Sequence, residues 1–329
     1  MERSPEPIPQ WGHPNKNPSE RISANNLTNI AVLLTVLVVV LGILFRCINL
    51  GEKAYWVDEV HTVVRVAGHT KAEITAEQFD NQIHSVAEFN QYQYPLQQPP
   101  LAEVLRTLAQ HPEHPPLYYL LARWWVQGGQ RLGINAPVTM MRSLSVLLGI
   151  LVLPGVVALC RELFYSEPHA LWTTAIALSI FALSPLHCLY AQEAREYSLW
   201  TLMTILSCWS FLKAIRLNSI GCWTLYSLSL VVGWYSHLLF ATVIMAQGLY
   251  VALIRPQLLA KVGGAIALSL VAFSPWIVAF ITNLGQVQAV VDATQRSNFF
   301  RENCLNASPI QIEEVDPTAA VIYPIVLED

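Results

Sequence analysis

Residues 221–254 read GCWTLYSLSLVVGWYSHLLFATVIMAQGLYVALI, a run of 34 residues that contains no Asp, Glu, Lys or Arg. A helix needs about 20 apolar residues to cross the hydrocarbon core of a bilayer, so this run is too long for one crossing. Polar and interfacial side chains cluster in its middle, at Trp234-Tyr235-Ser236-His237, and this predicts a tight turn between two antiparallel spans. The run therefore indicates a membrane protein built from α-helices.

The composition of the whole chain supports this interpretation. Of its 329 residues, 53% are apolar and 13% are charged, and the formal net charge is −4. The mean hydropathy is +0.40. Ordinary soluble domains carry about 25% charged residues, so this chain has too few charges to coat a soluble surface. These values exclude a soluble enzyme, a disordered chain and a protein that binds nucleic acid through a basic face.

Further apolar runs lead to an all-α, polytopic fold class with about seven transmembrane helices. The first run follows a hydrophilic arm, residues 1–26, that is expected to be disordered and cytoplasmic. It is interpreted as a signal anchor, because no small-residue cleavage site follows it. The spans are predicted at 27–45, 142–160, 170–189, 197–212, 220–236, 238–254 and 262–281.

Lysine and arginine residues in the short loops predict the orientation in the cell membrane. If the N-terminus is cytoplasmic, the inner loops hold five of them, whereas the short outer loops hold only Arg195. Residues 47–141 then form a long first extracytoplasmic loop, and residues 285–329 form an extracytoplasmic tail. The five inner residues are Arg161, Lys213, Arg216, Arg255 and Lys261.

The outer loop contains a short apolar stretch, Pro115–Val126, of only twelve residues. Twelve helical residues cover about 18 Å, less than the hydrocarbon core of about 30 Å. We therefore expect an amphipathic juxtamembrane helix that lies in the outer interface, with Tyr and Trp at the headgroup level and Arg123 directed toward the headgroups. A second short helix is expected at 76–89.

Ionisable residues avoid the centres of the spans and concentrate at the outer side. Asp58 and Glu59 follow the first span, while Glu193, Arg195 and Glu196 precede the fourth. Glu193 and Glu196 are three residues apart, so they are expected to share a helical face, with Arg195 pointing elsewhere. Two outer segments thus present acids and bases at one membrane face.

Arg142, His114, Tyr190 and His237 are predicted at the same level. Taken one at a time, the residues at this level also fit ordinary roles, such as acids in the first turn of a helix or surface ion pairs. Taken together, they suit chemistry on a substrate that has a lipid tail in the bilayer and a polar head outside.

The order of several short motifs resembles one family. The motifs are Asp58-Glu59, His114-Pro115-Pro116-Leu117-Tyr118-Tyr119, Arg142-Ser143-Leu144, Ser184-Pro185-Leu186-His187, Tyr190-Ala191-Gln192-Glu193-Ala194-Arg195, Tyr235-Ser236-His237 and Ser274-Pro275-Trp276. Over residues 27–284 the chain resembles the class C glycosyltransferases of the protein O-mannosyltransferase and lipid A aminoarabinose transferase type. Members of that family continue with several more spans, so the chain is expected to be a C-terminally truncated relative.

The resemblance implies an activity and partners. A sugar would pass, with inversion, from a polyprenyl-phosphate donor to a glycan, lipid or protein acceptor at the extracytoplasmic face. Asp58 would be the catalytic base, and Glu59 would position Asp58 or the acceptor. Arg142 and Arg195 would bind the lipid phosphate, because a guanidinium pairs bidentately with phosphate oxygens.

The resemblance also implies that His114, His237 and Tyr190 help to bind the lipid phosphate. The alternative for the phosphate charge is a divalent metal, Mg²⁺ or Mn²⁺, held by Glu193 or Glu196. Two other functions compete with the enzyme: a non-catalytic relative that binds lipid carriers or acts as a scaffold, and a transporter or flippase. The second is disfavoured by the charge-free span centres, since transporters place polar groups near the bilayer midplane.

Overall fold

The structure is a computed structural model that describes residues 18–285 and 288, with gaps at 54, 79–84, 86–87, 89–91, 93–98 and 135. Every regular element within these residues is helical, so the all-α prediction is confirmed for the described part of the chain. The predicted arm up to residue 17, most of the second short helix at 76–89 and nearly all of the tail lie outside the described residues. The α-helices are α1 (Pro18–Cys47), α2 (Val57–Ala67), α3 (Lys71–Gln78), α4 (Leu101–Gln110), α5 (Leu117–Arg131), α6 (Pro137–Leu163), α7 (Ala170–Leu183), α8 (Pro185–Ala191), α9 (Tyr197–Leu217), α10 (Ile220–Ser236), α11 (Phe240–Ile254) and α12 (Leu259–Thr282).

Four helices in the described residues are long and apolar enough to cross a membrane, namely Asn26–Cys47, Pro137–Leu163, Tyr197–Leu217 and Pro256–Thr282. A bent pair, α7 with α8, makes a fifth if the two helices form one span. α11 is apolar but shorter. The chain therefore has the helices of a multi-pass membrane protein.

Two helix boundaries can be compared directly with the sequence. The turn predicted within 234–237 lies at the end of that stretch, because α10 ends at Ser236 and α11 begins at Phe240. α1, in contrast, begins at Pro18, so residues 18–26 of the predicted disordered arm are helical.

Pro185 breaks the third apolar run, and Arg46 stabilises the break. α7 and α8 meet at an angle of 55°. Proline has no N–H, so the carbonyl of Phe181 loses the donor that a continuous helix would give it. The guanidinium of Arg46 replaces that donor, reaching the carbonyls of Phe181 at 3.0 Å and Ala182 at 2.6 Å. α1 is thereby fixed against α7 at the end where both helices finish.

The long helices α6 and α9 run in one direction and α10 and α12 run in the opposite direction, with α9 packed against α6 and α10. At one end, Arg216 in the last turn of α9 binds Glu162 of α6, and Lys261 of α12 donates to Asn218 at 2.6 Å. At the other end, Arg142 of α6 and the segment before α9 contact α2. Basic loop residues thus lie at one end of the bundle and α2 at the opposite end.

The middle of the bundle contains a small polar network. Gln247 of α11 accepts a hydrogen bond from the Tyr226 hydroxyl at 2.9 Å and donates to Ser207 of α9 at 3.0 Å. All three side chains are buried, and apolar residues surround them. Since a buried polar group without a partner is costly, this network fixes how α9, α10 and α11 face one another.

α5 contains the twelve-residue stretch predicted at the outer interface, but it is placed differently from the prediction. Tyr118, Tyr119 and Arg123 are buried, whereas Trp124 is exposed. Arg123 donates to the carbonyl of Pro99, so the prediction that it points toward the headgroups is wrong. The carbonyl of Pro99 accepts a hydrogen bond from the charged group of Arg123, and helical spacing alone could not predict this partner.

Candidate active site

The candidate site begins at the first turn of α2, where Glu59 is buried. Its side chain accepts a bond of 3.4 Å from the backbone N–H of Trp56, closing the start of the helix. Its carboxylate also binds Arg142 of α6 in two bonds, Nε to Oε1 at 2.8 Å and Nη2 to Oε2 at 2.7 Å. Both residues are at most 2% exposed. This is the bidentate geometry that makes arginine–carboxylate pairs strong.

The same ion pair connects two further segments. The backbone N–H of Ala194 donates to Glu59 Oε1 at 2.8 Å. Arg142 Nη1 donates to the carbonyls of Leu50 and Lys53, both at 2.8 Å. Arg142 therefore has its donors directed at protein oxygens, and Glu59 holds the segment before α9 against α2.

Arg195 lies beside this pair and connects α2 to the start of α9. Its Nη1 donates to Thr62 Oγ1 at 3.1 Å and to the carbonyl of Asp58 at 3.3 Å, and its Nη2 donates to Glu196 Oε1 at 3.2 Å. Burial alone would lower the pKa of Arg195, but the charges around it, of which Glu196 is the strongest, together outweigh burial and raise the pKa. Arg195 stays charged and fixes the backbone at Asp58.

Glu196 is 1% exposed and lies between Arg195 and His114. His114 Nδ1 is 3.2 Å from Glu196 Oε1. Burial would raise the pKa of Glu196, but the hydrogen bond from His114 and the charge of Arg195 lower it to about 2. Residues 192–196 form a turn rather than a helix, so the prediction that Glu193 and Glu196 share a helical face, with Arg195 pointing elsewhere, is wrong.

Asp58 differs from its neighbour Glu59. It is partly buried, and its carboxylate receives no hydrogen bond from the residues that the structure describes. Glu193 is also partly buried, and burial together with the charges of Glu59 and Asp58 raises its pKa. The carboxylates of Asp58 and Glu193 thus lie at the edge of a buried cluster of ion pairs. Of these two residues, Asp58 is the one whose backbone carbonyl accepts a hydrogen bond from the guanidinium of Arg195.

His237 and Tyr190 join the cluster through aromatic rings. His237, in the turn between α10 and α11, stacks on Trp200 of α9 with ring centroids 4.6 Å apart. Burial lowers the pKa of His237, which keeps the ring neutral. Tyr190 packs on Tyr197 at 4.6 Å, and the guanidinium of Arg195 lies 5.6 Å from the ring of Tyr197.

The residues present do not fit the metal that was considered for Glu193 and Glu196. Across the described parts of the chain, no group of three or more His, Cys, Asp or Glu side chains converges as a metal-binding set. Glu196 Oε1 is instead shared by His114 and Arg195.

Three residues that the sequence did not single out belong to the site. Thr62 lies one turn after Asp58 and binds Arg195, and Trp200 lies under His237. Lys53 is exposed, and its ammonium donates to Gln192 Oε1 at 2.9 Å. In the sequence, only its position just after the first apolar run points to Lys53 as a site residue. No sequence pattern points to Thr62 or Trp200.

Comparison of the chain with protein-family models, with curated proteins and with solved structures gave no match. The resemblance to class C glycosyltransferases therefore rests on the motifs in the sequence alone.

Proposed function

We propose that this protein is a membrane glycosyltransferase that moves a sugar from a polyprenyl-phosphate donor to an acceptor on the extracytoplasmic face. The observation that carries the proposal is the contrast between two adjacent acids. Glu59 is buried and fully engaged by Arg142 and Ala194, while the Asp58 carboxylate has no hydrogen bond from the described residues. A carboxylate is suited to accept a proton when its backbone is fixed and its oxygens accept no hydrogen bond from the residues around it.

The reaction is a displacement at the anomeric carbon. The acceptor hydroxyl gives its proton to Asp58 while its oxygen forms the new glycosidic bond. The bond between the anomeric carbon and the phosphate oxygen breaks, and the polyprenyl phosphate leaves with the electron pair. Attack on the face opposite the leaving group inverts the anomeric centre.

The contacts assign different roles to the two arginines that the resemblance linked to the phosphate. Arg142 is occupied by Glu59 and two carbonyls, so it anchors the loop before α2. Arg195 positions Asp58 through its backbone carbonyl. Lys53 is the exposed cation that we assign to the lipid phosphate, since an ammonium at the membrane surface attracts phosphate groups.

Seven crossings of the cell membrane follow if α10 and α11 each span, as the 34-residue run suggests. The crossings are then α1, α6, α7 with α8, α9, α10, α11 and α12. Two observations support this arrangement: the seven crossings, taken in chain order, alternate in direction, and basic residues at the helix ends lie at the end opposite the site. The site then faces the extracytoplasmic side, where polyprenyl-phosphate sugars are presented.

The test is a transfer assay on the full chain in liposomes, with a panel of polyprenyl-phosphate sugars and glycan, lipid and peptide acceptors. The Asp58→Asn variant keeps the shape of the side chain and removes the proton acceptor, so turnover should fall about 10²–10⁴-fold. Glu52→Gln changes an exposed acid in the same loop and should leave turnover unchanged.

Three results contradict the proposal at different levels. If Asp58→Asn retains wild-type turnover, the base is assigned wrongly and Glu193 is the next residue to change. If the wild-type chain transfers no sugar but binds polyprenyl phosphate, the protein is a lipid-carrier binding or scaffold protein. Movement of the carrier across the liposome membrane without transfer would instead identify a flippase.

A further inference from the structure

Three polar atoms near Asp58 are buried and have no hydrogen-bond partner among the described residues. They are Glu196 Oε2, Trp200 Nε1 and Arg195 Nε. A buried polar atom without a partner costs about 1–3 kcal/mol, so such atoms mark places where something else supplies the bond. The three come from one short segment around the start of α9.

The residues that carry these atoms are connected by direct contacts. Trp200 lies one helical turn after Glu196, and its backbone N–H donates to the backbone carbonyl of Glu196 at 2.9 Å. The ring of His237 stacks on Trp200 at 4.6 Å, and the charge of Glu196 acts on His237. Glu196 and Trp200 therefore lie on one face at the start of α9. The ring of His237, in the turn between α10 and α11, packs against that face.

The protonation of His237 follows from its hydrogen bond. The N–H of Leu239 donates to His237 Nδ1 at 3.1 Å, so Nδ1 is an acceptor. In the neutral ring the proton is then on Nε2, which becomes a donor. No described residue accepts a hydrogen bond from Nε2.

The face therefore offers one buried carboxylate oxygen as an acceptor, and the ring N–H groups and Arg195 Nε as donors. A phosphate group can only accept hydrogen bonds, and the charge of Glu196 would repel it. A hydroxyl group donates and accepts, so it can satisfy Glu196 Oε2 and a ring N–H at the same time. Neutral hydroxyl groups fit this face, and anions do not.

We infer that Glu196, Trp200 and His237 form a subsite for the hydroxyl groups of a sugar. This inference rests on the proposed function and specifies which part of the donor each element holds. The lipid phosphate stays at the exposed rim near Lys53, and the sugar lies against α9. His237, which the resemblance associated with phosphate, is reassigned to the sugar.

The experiment measures binding by the purified full chain in nanodiscs. The probes are polyprenyl phosphate and the same lipid carrying mannose, glucose, galactose or aminoarabinose. The wild type should bind at least one sugar-bearing lipid more tightly than the bare carrier. Trp200→Phe keeps the stacked ring and removes the N–H, so the dissociation constant of that lipid should rise about tenfold. Binding of the bare carrier should not change.

A matched control removes an indole N–H at the other end of the bundle. Trp223 donates to Asn218 at 3.1 Å, and Trp223→Phe should leave both dissociation constants at the wild-type values. His237→Phe provides a second test, since it also keeps an aromatic ring on Trp200 and removes the donor; it should weaken the sugar-bearing lipid alone.

The outcomes separate the two proposals. If the sugar-bearing lipid binds more tightly than the bare carrier but Trp200→Phe and His237→Phe leave that difference unchanged, the subsite is wrong and water satisfies these atoms. If the variants weaken the bare carrier equally, the face binds phosphate and the inference is overturned. If the wild type binds no carrier at all, the proposed function fails, and the sugar subsite fails with it.

Discussion

The carboxylate of Glu59 and the guanidinium of Arg142 form two parallel hydrogen bonds of 2.8 and 2.7 Å in the interior of the protein. They come from the first turn of α2 and the first turns of α6, and the ring of Tyr55 lies 5.1 Å from the guanidinium. Since Glu59 also accepts from Ala194, the pair determines where Asp58 lies relative to the segment before α9.

Loss of this buried pair should destabilise the protein strongly. Arg142→Ala leaves the charge of Glu59 buried and unpaired, which typically costs about 3–5 kcal/mol. The melting temperature in detergent should fall well below that of the wild type. Arg216→Ala is the control, because the Arg216 side chain is exposed and the loss of its pair with Glu162 should lower the melting temperature much less. Equal effects of the two variants would show that the buried pair does not anchor the loop.

Glu196 should make the stability depend on acid pH. Its pKa is lowered from 4.5 to about 2 in the folded protein, so its contribution is complete above pH 4.5 and is lost as the pH falls toward 2. Glu196→Gln lacks this contribution and leaves Arg195 unpaired, so it should melt at a lower temperature at pH 7. The difference in melting temperature between the wild type and the variant should become smaller as the pH falls from 5 to 3. A gap that is constant over this range would contradict the lowered pKa.

Gly42 should tolerate no larger side chain, because α1 and α7 approach closely there. A Cβ atom at this position would overlap the carbonyl of Ala182, which is backbone and cannot turn away. Gly42→Val should therefore separate the two helices and destabilise the protein by about 1–3 kcal/mol. Gly264→Ala in α12 meets open space and should stabilise its helix by up to about 1 kcal/mol. Thermal unfolding of both variants in detergent checks the contrast.

The proposed orientation can be tested by labelling single cysteines in cells. In a full chain whose native cysteines are replaced by serine, Glu52→Cys lies at the site end and Ser166→Cys lies at the opposite end. A membrane-impermeant maleimide should label only the variant at Glu52 in intact cells, and both variants after the membrane is made permeable. Labelling of only the variant at Ser166 would place the site in the cytoplasm and exclude a donor presented outside.

The sequence predicted the features that depend on local patterns. The polar residues at 234–237 mark a real helix end, since α10 ends at Ser236. It could not predict which charged residues meet. Arg123 was expected at the headgroups but binds a carbonyl from a loop, and Arg142 was expected to bind phosphate but lies against Glu59. These partners depend on how distant segments pack, and residue spacing along a helix carries no information about that.

The contacts of Glu59 also determine how early during synthesis of the chain the site can form. Its partners are 83 and 135 residues further along the chain. At about 5–20 residues per second, a ribosome supplies the amide of Ala194 roughly ten seconds after Glu59. Until then a carboxylate that ends up buried lacks one of these two partners, so the segment around the start of α2 cannot reach its final packing. The site is thus completed late in biosynthesis, after α6 and the bent pair α7 and α8 have been synthesised.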